Sequence, residues 1–152
     1  MKETARISKL FTDLYNGEPW LDVTITATLQ KISPEQAANK VSSNWNSIWQ
    51  IVNHVIAWRE NVLRRLHGEV IASPPSNYID DIADVSEAAW QSTLQRLQES
   101  QQKWIAFLNE FDEADFEKIY PANGHSYYKH INGIIQHDAY HLGQVVLLAK
   151  GL

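Results

Sequence analysis

Apolar residues recur along most of this chain at steps of three and four, the repeat of one face of an α-helix. Ile7, Leu10, Phe11 and Leu14 make the first such stripe, over residues 3–16, and Gly17 stands where that helix should end. A second stripe runs through Ile48, Ile51, Val52, Val55, Trp58, Val62 and Leu66 until Gly68. Ser47 precedes it with Gln50 three positions on, the spacing at which the two ends of a capping box satisfy each other's free N–H groups. Asp84 and Glu87 repeat that spacing ahead of a third stripe. There Trp90, Leu94, Leu97, Gln101, Trp104, Leu108 and Phe111 alternate steps of four and three, as along a bundle seam. The last stripe follows Ser126 and carries Ile131, Ile134, Ile135, Leu142, Val145, Val146 and Ala149.

Between the first two helices the period is ambiguous. Leu21, Val23, Ile25, Ala27 and Leu29 alternate with polar residues as a strand would, but no second strand candidate exists to pair with them. Ile25, Leu29 and Ile32 also share one helical face, so a short helix is the expectation. Ser33-Pro34 then opens another, with proline at the first helical position. Residues 73–81, SPPSNYIDD, read as a loop long enough to cross between non-adjacent ends of a bundle. The pattern predicts an all-α fold of four long helices, with short extra helices between the first and second. It occupies a single domain over residues 1–152, since a chain of this length buries roughly two-thirds of its unfolded surface in one core.

Composition narrows the function more than the fold. A hydrophobic fraction of 44% with 20% charged residues is ordinary for a globular protein. The net charge of −5 and the lack of a dense Lys/Arg cluster argue against a nucleic-acid partner, which needs a basic surface. The N-terminal MKETARISKLF has no long apolar core, so no signal peptide is expected, and no stretch approaches a membrane span. A cytoplasmic location is the default expectation. Cysteine is absent, which excludes disulfides, thiolate ligands and a cysteine nucleophile.

Histidine carries the candidate chemistry. His137 and His141 lie four residues apart in HDAYHLGQ, one helical turn, on the edge of a face that otherwise wants burial. His54 flanks the Ile51, Val55 and Trp58 stripe in the same way. Burying an imidazole without a partner costs about 1–3 kcal/mol, and one shared metal ion would remove that cost for all three. Three histidines with open coordination positions form a recognised catalytic ligand set. His54 taken alone reads more readily as a core residue bonded to a carbonyl or hydroxyl, and the His137/His141 pair reads either way; the three together, on separate helices, favour the metal.

The neighbours have more than one reading each. Asp138 and Gln144 suit acceptors for ligand N–H groups and, equally, surface residues or residues that bind neighbouring helices. Gly143 suits either close approach of another helix or an idle position that costs about 1 kcal/mol. Tyr140 suits either a hydrogen-bonding group near the site or a half-buried aromatic, the second being the expectation. HDAYH has the spacing of the H-E-x-x-H metalloprotease helix, but aspartate stands where glutamate is needed and no third ligand follows. His67 sits beside Gly68 at a helix end, where a cation suits the dipole, while His125 and His130 flank the last helix start and are expected to be solvated, with His130, two helical turns before His137, alternatively near the site mouth. Trp20, Trp45 and Trp49 fall outside the clearest stripes and are the candidates for a dimer or pocket surface.

Two segments carry a family resemblance: SIWQIVNHVIAWRENVLRRLHGE around His54, and INGIIQHDAYHLGQVVLLAK around His137 and His141. With GEPWLDVTITATLQKISPEQA upstream, the chain resembles the DinB-like (DinB/YfiT-like) superfamily of metalloenzymes over nearly its whole length. The resemblance implies a four-helix bundle of up-up-down-down connectivity, often a homodimer. It also implies a divalent metal (Zn, Ni, Mn or Fe) held by His54, His137 and His141. Members of known activity use the metal with a low-molecular-weight thiol for S-transfer or isomerisation on a small-molecule substrate. The expectation is a metal-dependent thiol S-transferase. A metal-dependent hydrolase, or a non-catalytic stress-related bundle, are the alternatives.

Overall fold

A computed structural model describes residues 1–151. The elements are α1 (Glu3–Asn16), α2 (Ile25–Leu29), α3 (Pro34–Ala38), α4 (Ile48–Leu66), α5 (Glu87–Glu110), a 3-10 turn (Glu113–Glu117) and α6 (Tyr127–Lys150). Among the described residues there is no strand, only an isolated bridge between Ile119 and Ser126. In the alternating stretch after α1 a short helix forms as expected, over Ile25–Leu29 alone, with Leu21, Val23 and Ile32 outside it: Thr24 caps α2 by accepting from the Ala27 N–H, and Ile25 and Leu29 are buried. Ser33 with Gln36, and Ser47 with Gln50, both form complete capping boxes. The start of α5 differs from the expectation. Ser86, not Asp84, caps it by accepting from the Ala89 N–H. Asp84 instead accepts from the Ser86 N–H at 2.9 Å, ordering the turn before the helix. A hydroxyl one residue from the helix reaches the free N–H groups that the earlier carboxylate cannot.

α4 is the central helix, packed against both α5 and α6, while α1 lies along α5. The apolar side chains fall into two clusters. One gathers Ile51, Val52 and Val55 of α4, Trp90 and Leu97 of α5, and Leu142 and Val145 of α6. The other gathers Val62, Leu66, Trp104, Leu108, Ile131 and Ile134 from the same three helices, with Ile7 and Phe11 of α1. Between them, on each helix, lies a polar layer: Arg59 of α4, Ser100 and Gln101 of α5, and Asp138 of α6, all buried. The Arg59 Nε–H donates to Asp138 Oδ2 at 2.8 Å, and its Nη1 donates to Gln101 Oε1 at 3.1 Å and Ser100 Oγ at 3.3 Å. A charge removed from water survives only when paired and hydrogen-bonded, so this layer has little freedom to slip.

Two aromatic and apolar positions depart from the sequence reading. Trp49 is 3% exposed, packs on Trp90 at 5.0 Å and donates its indole N–H to Thr93 Oγ1 at 2.9 Å. It is a core residue, not part of a dimer or pocket surface. Leu10, placed in the α1 stripe, is half exposed because the buried face runs through Thr4, Ile7, Phe11 and Leu14. Trp20 is almost fully exposed, and Trp45 is exposed as well.

Candidate metal centre

α4 and α6 run against each other with Arg59 and Asp138 fixing their register. That register places His54, five residues before Arg59, opposite His137, the residue before Asp138. Their Nε2 atoms are 3.0 Å apart. The helical step of four adds His141, and one nitrogen from each of the three rings lies within 4.8 Å of the others. Two nitrogens each bonded to one cation at 2.0–2.1 Å lie about 2.9–3.4 Å apart, depending on coordination angle. The His54–His137 spacing fits that range.

The far side of each ring decides which nitrogen is offered. His54 Nδ1 lies 2.6 Å from the backbone carbonyl oxygen of Asn77, which can only accept, so Nδ1 carries the proton and Nε2 keeps its lone pair. His141 Nδ1 lies 2.7 Å from Gln144 Oε1. The Gln144 amide is turned that way because its Nε2–H donates to the Tyr140 hydroxyl at 3.0 Å. His137 Nδ1 is buried without a hydrogen-bond partner, facing the equally unpartnered Oδ1 of Asp138 at 3.7 Å. Bare lone pairs aimed at one point repel unless a proton or a cation lies between them. The donor set therefore suits a divalent ion of borderline softness.

Electrostatics favour the neutral rings that ligation requires. Burial, reinforced by the neighbouring His137, pulls His141 down to about 4. Burial also lowers His54, against the opposing pull of the Asn77 carbonyl. Desolvation penalises imidazolium, and a second imidazolium at contact distance would add repulsion.

The histidines open onto a cavity of about 960 Å³ between α4, α6 and the loops at residues 77–79 and 123–125. Trp58 stands beside the centre, its ring centroid 6.3 Å from that of His137 and 6.5 Å from that of His54. Its indole N–H donates to Asn77 Oδ1 at 3.0 Å. Asn77 thus fixes one ring through its carbonyl and a second through its side chain. Asn77 and Tyr78 both have positive φ, 53° and 61°, a sparsely populated region for non-glycine residues. The Asn61 amide holds Tyr78 by donating to its hydroxyl at 2.7 Å. In the other loop Gly124 supplies a φ of 70°, letting its N–H reach back to the Tyr120 carbonyl.

A family model described as the DinB superfamily matches residues 23–145. The chain belongs to the DinB superfamily. The matched segment includes all three histidines, the whole of α4 and α5 and most of α6, and begins after α1. The fold is also that of a crystal structure of a conserved protein from Enterococcus faecalis. That structure superposes with a TM-score of 0.76 at 14% identity, covering 99% of this chain and 97% of the other. No curated protein matches this DinB chain in sequence.

Of the residues singled out in the sequence, His54, His137, His141, Gln144 and Tyr140 meet at this site. Tyr140 is well exposed at the cleft rim rather than half-buried. Of its readings, Asp138 takes the one that binds a neighbouring helix: its carboxylate is spent on Arg59 of α4 and reaches His137 only at 3.7 Å. A Cβ placed on Gly143 would meet no heavy atom within 4 Å, so no helix approaches it. His67 lies outside the site, its Nδ1 bonded to the Leu63 carbonyl at 2.7 Å. His130 is 8% exposed rather than solvated, because the turn at residues 120–125 folds over it. Asn77, Trp58 and Arg59 were not anticipated as site residues. Asn77 alone had a signal: asparagine in a loop tolerates the left-handed region.

Proposed function

We propose that this DinB-superfamily protein is a divalent-metal-dependent enzyme that transfers the sulfur of a small thiol to an electrophilic substrate. The observation that supports it most directly is the convergence of three imidazole nitrogens, two of them oriented by acceptors behind the ring. His54, His137 and His141 would hold the ion, which when bound supplies a Lewis acid able to keep a thiol ionised at neutral pH. The Asn77 carbonyl and the Gln144 amide keep the proton on Nδ1, so the ligand nitrogens stay available. Trp58, Val62 and Ile134 line the cleft with apolar surface and limit water near the nucleophile.

The sulfur must arrive as a separate molecule, because the chain contains no cysteine. Among the described residues no aspartate or glutamate lines the cleft. A thiolate needs less help from a general base than water does, which favours thiol transfer over hydrolysis. In the transfer the S–H proton leaves to solvent, the sulfur electron pair forms a bond to the electrophilic carbon, and the leaving group departs with its own pair.

Protein purified without chelator should contain stoichiometric metal by elemental analysis, and His137→Ala should lose it. Incubation of the metal-loaded protein with an electrophile should consume substrate only when a small thiol is present. Ester cleavage without thiol would favour the hydrolase instead, and wild-type protein that stays metal-free after growth in supplemented medium would overturn both. We further propose a homodimer, supported by the exposed Trp45 and Leu147 beside one another near the C-terminal half of α6. Light scattering of wild type against Trp45→Ser tests it, and a monomeric wild type rejects it.

A further inference from the structure

The cleft beside the histidines contains a second feature that metal binding does not use. Arg65 lines it, about two turns beyond Trp58 on α4. Its guanidinium carbon lies 5.4 Å from the Trp58 ring centroid and 5.0 Å from that of Tyr120. Two aromatic rings thus hold the planar fork, as cation–π contacts favour. Neither ring supplies an acceptor. The Tyr120 hydroxyl is committed to the backbone of Ile71, accepting from its N–H at 3.0 Å and donating to its carbonyl at 3.1 Å. Arg65 Nε is buried without a hydrogen-bond partner, and among the described residues Arg65 forms no ion pair. The other sheltered arginine, Arg59, has a carboxylate and two further acceptors.

The charge around Arg65 is one-sided. The protein as a whole is acidic, with 18 Asp and Glu against 13 Lys and Arg, yet the cleft has Arg65, Lys129 and His125 on its wall and no carboxylate among the described residues. His130 adds no competing donor, because its Nδ1–H is spent on the Ser126 carbonyl at 3.0 Å and its Nε2 accepts from the Asn123 amide at 3.3 Å. Burial, with Arg65 nearby, lowers the His130 pKa and keeps that ring neutral. A guanidinium left without an anion in a partly desolvated site is costly, and a bound carboxylate, phosphate or sulfonate would remove that cost.

We propose that Arg65 is the anchor for an anionic group on the substrate, so that the enzyme takes compact molecules with an acidic end and an apolar middle. The apolar part would lie along Trp58, whose indole touches both the histidines and Arg65. The proposal deepens the thiol-transfer function by naming the substrate class, and it rests on that function only in treating this cleft as the substrate site.

Benzoate and benzamide, alike in shape and different in charge, are the probes, each titrated by calorimetry into metal-free and metal-loaded wild type. Benzoate should bind roughly tenfold or more tighter than benzamide, the scale of one charge-assisted bidentate contact. Arg65→Gln should abolish the preference with metal content unchanged, and Arg65→Lys should restore part of it. The Arg65 Nε–H signal in nitrogen-resolved NMR of the wild type should shift on adding benzoate and not on adding benzamide, a readout that needs no variant to fold. Equal affinities, no detectable binding of either probe, or an unmoved Arg65 signal would each overturn the proposal. His137→Ala separates the anion anchor from the metal function: if metal is lost while the benzoate preference persists, the anchor stands independently of the metal.

Discussion

Replacing Asp138 by alanine would strand the Arg59 guanidinium in the middle of the bundle. The Arg59 and Asp138 side chains are 1% and 0% exposed, so water cannot take the place of the lost carboxylate. Ser100 and Gln101 still accept from Nη1, but both are neutral, and Nη2 already lacks a partner. Breaking a buried pair by removing one member costs about 3–5 kcal/mol, against a total stability of about 5–15 kcal/mol for a typical domain. At this chain length that corresponds to a fall in Tm of about 6–20 °C. Urea unfolding of metal-free protein, followed by tryptophan fluorescence, measures the loss without a contribution from metal linkage. The double variant Arg59→Met with Asp138→Leu removes the charge and its partner together, and should recover most of the loss. A single variant within about 1 kcal/mol of wild type would refute the reasoning. So would a double variant as unstable as the single.

Further outcomes follow from the same geometry. Gly143→Ala should stabilise the protein by about 0.5–1 kcal/mol without altering metal content, since α6 is helical there and a methyl group meets nothing within 4 Å; a lower thermal midpoint would show a contact that the packing does not contain. Gln144→Leu frees His141 Nδ1 and should weaken metal affinity about 10–100-fold in a chelator competition, as losing an acceptor behind a ligand usually does. The metal-free protein should lose stability as pH falls from about 6.5 toward about 4, because His141 and His54 are held below the ordinary histidine value of 6.5 in the folded state. The unfolded chain takes up those protons first, so the fall begins near its pKa and levels off once the folded ring is protonated. Urea midpoints across that range check it, and His141→Ala should flatten the curve.

The helices are legible in the sequence because burial on one side imposes a period that the chain must carry. The rest is legible only in part. Trp49 falls out of phase with a single stripe along α4, whereas near the N-terminus of that helix the positions from Ile48 to Val52 are buried without a break. A helix covered on several sides has no polar face to reveal its phase. Asp138 resembles an acceptor for a ligand because its true partner stands 79 positions away. His54 stands out through its context and its two distant counterparts, not through a local motif. The loop at residues 73–81 advertises only a crossing, since a carbonyl oxygen belongs to every residue and leaves no letter in the chain.

That anonymity has an evolutionary consequence. His54 is steered by a peptide oxygen, so no substitution of the Asn77 side chain deletes the steering atom. Drift could rewrite the spelling of this loop while the oxygen stays where it is, provided that two successive residues still tolerate left-handed backbone. Among distant cousins, the trace of this device would survive in loop length and torsion angles rather than in shared amino acids.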